Sequence, residues 1–359
     1  MFRLHPILNR RPNAFGALCG VLALAACTNT SEDSNLEGVP YPTCGSAMEQ
    51  CLDQMPVGDL SMPFYRNMSL TTPNPAVTEA IIVVHGSNRL ANDFFNTLAT
   101  AADQAGRSST VLIVAPHFQC SEDRPPKGDV IWACRGQDWS HGYANTNGSG
   151  PAIYSYAVMD QFVTLIATKA TFPNLTRIVI TGMGSGGQLA QRYAATTQID
   201  PVAGVTLEYV SVGPSTYLYL DANRPASGAT CATSGGCQFS PPSNVGACSE
   251  YDSYAYGLEN RSGYVGIPTT AEIQAEYVQR DVTYVVGDAD TLANSAGTDL
   301  DTSCEANTEG VDRISRAIGF WNEVSSVYQA KHPLVIVPGC MHSRSCLYFS
   351  PEVRSLLFP

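Results

Sequence analysis

Basic residues are scarce in this chain: 20 Lys and Arg stand against 32 Asp and Glu, a formal net charge of −12. That shortage argues against nucleic acid and anionic lipid headgroups as partners of the folded surface, because phosphate recognition runs on Lys and Arg. Metal-ligand spacings are missing as well. There is no Cys-x-x-Cys and no His-x-x-x-His among the 12 Cys and 6 His, so no metal and no cofactor is expected. No repeat with a period of 20–50 residues is present, which argues against solenoids and propellers.

What is present begins with an N-terminal segment that must be set apart before any reasoning about fold. Arg3, Arg10 and Arg11 precede an apolar run from Ala14 to Ala26, too short for a permanent membrane span of about 20 residues. The run ends in Leu24-Ala25-Ala26-Cys27, which resembles a bacterial lipobox. That resemblance implies a signal peptide over residues 1–26 and acylation of Cys27; an ordinary signal peptide ending near a Cys is the alternative. Removing the signal takes away three arginines and no acid, which moves the net charge from −12 to −15. Residues 27–55 are expected to be an acylated cysteine and a polar tether, since 28–43 hold few apolar groups. A single domain is expected over 56–359. The chain is thus read as exported and held at the membrane, in the periplasm or at the cell surface, through a lipid anchor alone.

Ten further cysteines remain: Cys44, Cys51, Cys120, Cys134, Cys231, Cys237, Cys248, Cys304, Cys340 and Cys346. An even number in an exported chain reads as up to five disulfides. Short separations suggest 44–51, 120–134, 231–237 and 340–346, leaving 248–304, although spacing alone does not fix connectivity.

From about residue 60, short apolar runs alternate with helical stretches. Glu79 to His85, Ser109 to Pro116, Arg177 to Thr181, Gly204 to Ser211, Val282 to Val286 and Leu334 to Val337 read as strands. Fully apolar strands of this kind are buried on both faces of a parallel sheet. Phe94 to Ala105, Tyr154 to Ala170 and the segment up to Ala195 read as helices. The alternation predicts an α/β fold with a mostly parallel central sheet and helices on both faces. Residues 222–265, rich in Ser, Gly, Pro and Tyr, break the rhythm and read as a disulfide-braced loop or cap insertion.

In such a sheet, ligands bind beyond the carboxyl ends of the strands. Four strand ends carry signals: His85-Gly86-Ser87-Asn88, Thr181-Gly182-Met183-Gly184-Ser185-Gly186-Gly187-Gln188, Gly287-Asp288-Ala289-Asp290 and Cys340-Met341-His342. The second resembles the nucleophile elbow of the α/β-hydrolase superfamily, Gly-x-Ser-x-Gly. The resemblance is to a secreted esterase or lipase-like group whose elbow reads Gly-His-Ser-Ala-Gly-Gly-Gln and is followed by Arg-Tyr-Ala, here Arg192-Tyr193-Ala194. Trp132, Trp139, Tyr217 and Tyr219 lie in other segments that resemble the group, over roughly residues 78–350. They could line an apolar pocket or simply form core.

The resemblance implies an ancestral serine carboxyl-ester hydrolase, with Asp290 as the triad acid and His342 as the general base. Aligned without gaps, the nucleophile position holds Gly184. Three readings stay open. Gly184 at the apex gives a catalytically inactive pseudo-hydrolase that binds a ligand or serves as a scaffold. A one-residue slip makes Ser185 the nucleophile, with oxyanion donors near Ser87 and Gly186 and a small-molecule, lipid or polymer ester as substrate. A glycine-rich phosphate cradle is the third. For Asp290 the rival is an acidic, calcium-binding loop with Asp299 and Asp301, though the EF-hand spacing is absent.

Overall fold

A computed structural model describes residues 44–226, 231–243, 245–291 and 299–359. The signal segment, Cys27 and the tether up to residue 43 lie outside the described residues, as do 227–230 and 244 within the insertion. Among the described residues no helix is long and apolar enough to cross a membrane.

The central sheet has eight strands: β1 (Leu52–Val57), β2 (Leu60–Arg66), β3 (Glu79–Val84), β4 (Val111–Pro116), β5 (Arg177–Met183), β6 (Thr206–Val212), β7 (Asp281–Gly287) and β8 (Leu334–Val337). Their order across the sheet is β1-β2-β4-β3-β5-β6-β7-β8. The β1–β2 and β2–β4 pairs are antiparallel and every other pair is parallel. Gly58, at φ +60°, makes the tight turn between β1 and β2.

The strand sequences explain why both faces are covered. Along β3, five consecutive apolar residues, Ala80 to Val84, are fully buried, and side chains alternate between faces. Ile82 and Val84 join one core with Ile178, Ile180, Tyr209 and Tyr284. That core is closed by helices α2 (Ser155–Ile166), α3 (Ser185–Thr196), α4 (Thr270–Tyr277) and, after the short α5 (Cys304–Glu309), by α6 (Arg313–Asn322). Ile81 and Val83 join the opposite core with Val179, Val210 and Val285. There α1 (Ala91–Gln104) lays down Phe94, Phe95, Leu98, Ala101 and Ala102, beside α7 (Arg344–Phe349) and α8 (Pro351–Leu357). The mostly parallel, doubly covered sheet read from the sequence is the one observed.

All five disulfides pair as the separations suggested: Cys44–Cys51, Cys120–Cys134, Cys231–Cys237, Cys248–Cys304 and Cys340–Cys346. Cys248–Cys304 ties the 222–265 insertion to the start of α5. The domain boundary at residue 56 needs correction, because ordered structure begins at least twelve residues earlier. Cys44 and Cys51 are buried, the Cys44 N–H donates to the Asn67 carbonyl at 2.9 Å, and β1 buries Met55 and Val57. Polar composition hid this clasp, since its anchors are one disulfide and two alternate strand residues. Trp132, Trp139, Tyr217 and Tyr219 are all buried in the core.

Replacing both Cys44 and Cys51 by alanine is expected to lower unfolding stability by about 2–3 kcal/mol, the loop-closure entropy of so short a ring. The urea midpoint checks it; an unchanged midpoint would mean that the clasp contributes nothing.

Candidate active site

The turn from β5 into α3 is set by glycines. A Cβ on Gly182 would stand 2.5 Å from the Gly186 carbonyl carbon, and one on Gly186 would stand 2.2 Å from the Val84 oxygen. A Cβ on Gly187 would come within 2.6 Å of the Val212 oxygen. Side chains are therefore barred at 182 and 186, the positions two before and two after Gly184. Gly184 itself lies at φ +62°, ψ −117°, a region that is strained for any residue with a side chain. It is the apex of the turn. A slip by one residue would have asked for smallness at Met183, whose side chain fits there without difficulty, 5% exposed on the wall of a cavity.

Two further strand ends meet that apex. Asp290 follows β7 by three residues and is fully buried. His342 follows β8 inside the loop closed by Cys340–Cys346. His342 Nδ1 lies 3.0 Å from Asp290 Oδ2. A carboxylate there holds the proton on Nδ1 and leaves Nε2 as the basic nitrogen. A Cβ on Gly184 would sit 3.4 Å from that Nε2. Burial pushes the His342 imidazole below its usual pKa, against the opposing pull of Asp290. The second oxygen of Asp290 lies 3.6 Å from Arg313, and both side chains are 1% exposed. Gly213, at φ +50°, makes room for the ring, since its Cβ would stand 3.2 Å from Nδ1.

A cavity of about 250 Å³ opens over this arrangement, walled by Ser87, Met183, Gly184, Ser185, Arg313 and His342 among others. Among the described residues, the backbone N–H groups of Ser87 and Ser185 donate to no protein acceptor. For Ser185 this is the ordinary state of a first-turn helical N–H.

No known family model matches the chain, and no curated protein sequence does. Solved structures do match. Poly(aspartic acid) hydrolase-1 from Sphingomonas sp. KT-1 superposes with a TM-score of 0.55 at 17% identity, over 86% of this chain and 98% of that one. LpqC, a poly(3-hydroxybutyrate) depolymerase from Bordetella parapertussis, gives 0.56 at 16% identity, over 85% and 94%. The chain has the α/β-hydrolase fold.

In an α/β-hydrolase fold the oxyanion hole takes one N–H from the residue after the elbow apex and one from the loop after β3. Ser185 and Ser87 occupy those places here. Gly186, named from the sequence as an oxyanion donor, is instead packed against the β3 carbonyls and is absent from the cavity wall. Ser185, the alternative nucleophile read from the sequence, stands one residue past the apex on the cavity wall. It is the first residue of α3, and its hydroxyl makes no hydrogen bond to His342 among the described residues. The glycines that suggested a phosphate cradle are used in helix-to-strand packing. Asp299 and Asp301, the calcium candidates, accept from the Ser87 hydroxyl and from Tyr256 and Ser303 respectively.

His85 faces away from the cavity. Its Nε2 accepts the Phe118 N–H at 3.0 Å and its ring packs on Trp139, so it pins the loop that carries Ser87. Two positions escaped sequence reasoning as parts of the site: Arg313 behind Asp290, and Gly213 beneath the imidazole. Only a positive-φ requirement after a strand could have singled out Gly213.

Full burial pushes the His85 imidazole down to about 3. The unfolded chain, with a His near its ordinary value, therefore binds a proton that the folded chain refuses between about pH 6.5 and 3. Stability is complete above that window and falls as pH falls through it, by up to about 1.4 kcal/mol per pH unit. His85→Gln keeps an acceptor for Phe118, and it should flatten the decline between pH 6.5 and 4.5 by nearly one proton. Urea unfolding of both proteins across that range reads it; parallel slopes would show that His85 is not held neutral.

Proposed function

We propose that this chain is an exported, lipid-anchored protein descended from serine carboxyl-ester hydrolases, which binds an ester or related acyl ligand without a serine nucleophile. One observation carries the reading: glycine stands at the elbow apex, with the basic nitrogen of His342 aimed at the place a nucleophile's Cβ would take. Asp290 as orienting acid, His342 as base, and Ser87 and Ser185 as carbonyl-oxygen donors are the roles this reading assigns. Their support is the 3.0 Å dyad contact, the burial of Asp290 beside Arg313 and the free N–H groups on the cavity wall.

Export is supported by the basic and apolar N-terminal segment, by the lipobox-like Leu24 to Cys27 and by five disulfides, which persist in oxidising compartments. A net charge of −15 after removal of the signal leaves the anchor as the membrane contact. The two structural neighbours are named for polymers rich in carbonyl groups, so a carbonyl-bearing polymer segment is the first ligand class to try.

A fluorophosphonate probe, which reacts only with an activated serine, tests the reading. The wild-type protein should stay unlabelled, and Gly184→Ser should approach stoichiometric labelling because its hydroxyl would lie within reach of Nε2. Wild-type labelling that disappears in Ser185→Ala would restore the serine-hydrolase reading.

A further inference from the structure

We propose that His342 and Asp290 activate a water molecule at the apex, and that the chain hydrolyses short-chain carboxyl esters by single displacement, with no acyl-enzyme. This rests on Gly184 as the apex residue.

The geometry points there in four ways. First, the catalytic pair is set as a base. Nδ1 faces Asp290 at 3.0 Å and Nε2 faces the apex. Second, the apex is glycine. An oxygen at hydrogen-bond distance from Nε2, about 2.6–3.2 Å, would occupy the place a serine hydroxyl takes. Any Cβ on residue 184 would stand 3.4 Å from Nε2, within bonding distance of that same place. Only glycine admits a free water there. Third, the cavity of about 250 Å³ exceeds the roughly 30 Å³ of one water, which leaves room for a small acyl group. Fourth, the N–H groups of Ser87 and Ser185 are free to hold a carbonyl oxygen on the same cavity wall.

The step balances without any further reactant. Water gives one proton to His342 Nε2 while its oxygen bonds to the ester carbonyl carbon, and the carbonyl π pair moves onto oxygen between Ser87 and Ser185. The imidazolium so formed keeps its Nδ1–H on Asp290, whose charge stabilises it. Collapse restores the carbonyl and breaks the bond to the alkoxy oxygen, which takes the proton back from Nε2. The products are a carboxylic acid and an alcohol. Among the described residues, the charged groups around His342 are Asp290 beyond β7, Arg313 on α6, Asp299, and Arg344 on α7 on the cavity wall. Burial favours neutral imidazole, so the base is available at neutral pH.

The experiment is hydrolysis of p-nitrophenyl acetate by the folded protein, with circular dichroism as the check on each variant. Steady release of nitrophenol without a burst is expected, with an acid limb whose midpoint lies below 6.5. His342→Gln should lower kcat/KM by about 10²-fold or more, the usual size of a general-base contribution. Gly184→Ala should cost a similar factor by taking the water's place, and Gly184→Ser should bring in a burst. No hydrolysis above buffer, or a loss in only one of the first two variants, overturns the water mechanism while the apex reading stands. A burst in the wild-type protein overturns the apex reading as well.

Discussion

The start of α3 lies so close beneath the ends of β3 and β5 that no side chain fits at residues 182 and 186. This contact is the constraint on which the site depends. It fixes the register of the turn, forces residue 184 into a strained, positive-φ conformation, and aims its Cα–Cβ direction at His342. It also leaves the Ser185 N–H at the first position of a helix, with no carbonyl to serve it. This turn cannot slide by a residue, because Gly182, Gly186 and Gly187 each lie against backbone carbonyls.

The second element is a buried ionic chain. Asp290 is fully buried between His342 and Arg313, and Arg313 itself is 1% exposed. Withdrawing such charges from water costs several kcal/mol per ion unless each finds a partner. Arg313 opens α6, whose Ile314 N–H reaches the Asp290 carbonyl at 3.4 Å. One helix start thus holds both the backbone and the carboxylate of the acid loop. With glycine at the apex the imidazole has a defined direction, and the proposed water-activating role follows from that geometry.

Disulfides do at the periphery what packing does at the centre. Cys44–Cys51 draws a polar N-terminal stretch onto the sheet edge, Cys248–Cys304 holds the irregular insertion to α5, and Cys340–Cys346 closes the loop that presents His342. The short loops closed by Cys44–Cys51 and Cys340–Cys346 have too little apolar surface to order themselves by burial.

Much of the fold was legible from the sequence by itself. Apolar runs such as Ala80 to Val84, short and rich in β-branched residues, read as strands buried on both faces, and their alternation with helical stretches implies a parallel, doubly covered sheet. The positions of Asp290 and His342, each just past a strand, were legible for the same reason. What the sequence could not decide was the one-residue choice between Gly184 and Ser185, because both registers offer glycines nearby. Tertiary structure decided it through distances of 2.2–2.6 Å that exist only when α3 is laid against β3, β5 and β6. Nor could sequence show Arg313 behind Asp290, 23 residues away along the chain, or Gly213 beneath the imidazole. Local pattern determines which elements form; the close approach of backbones from distant elements determines which atom faces His342.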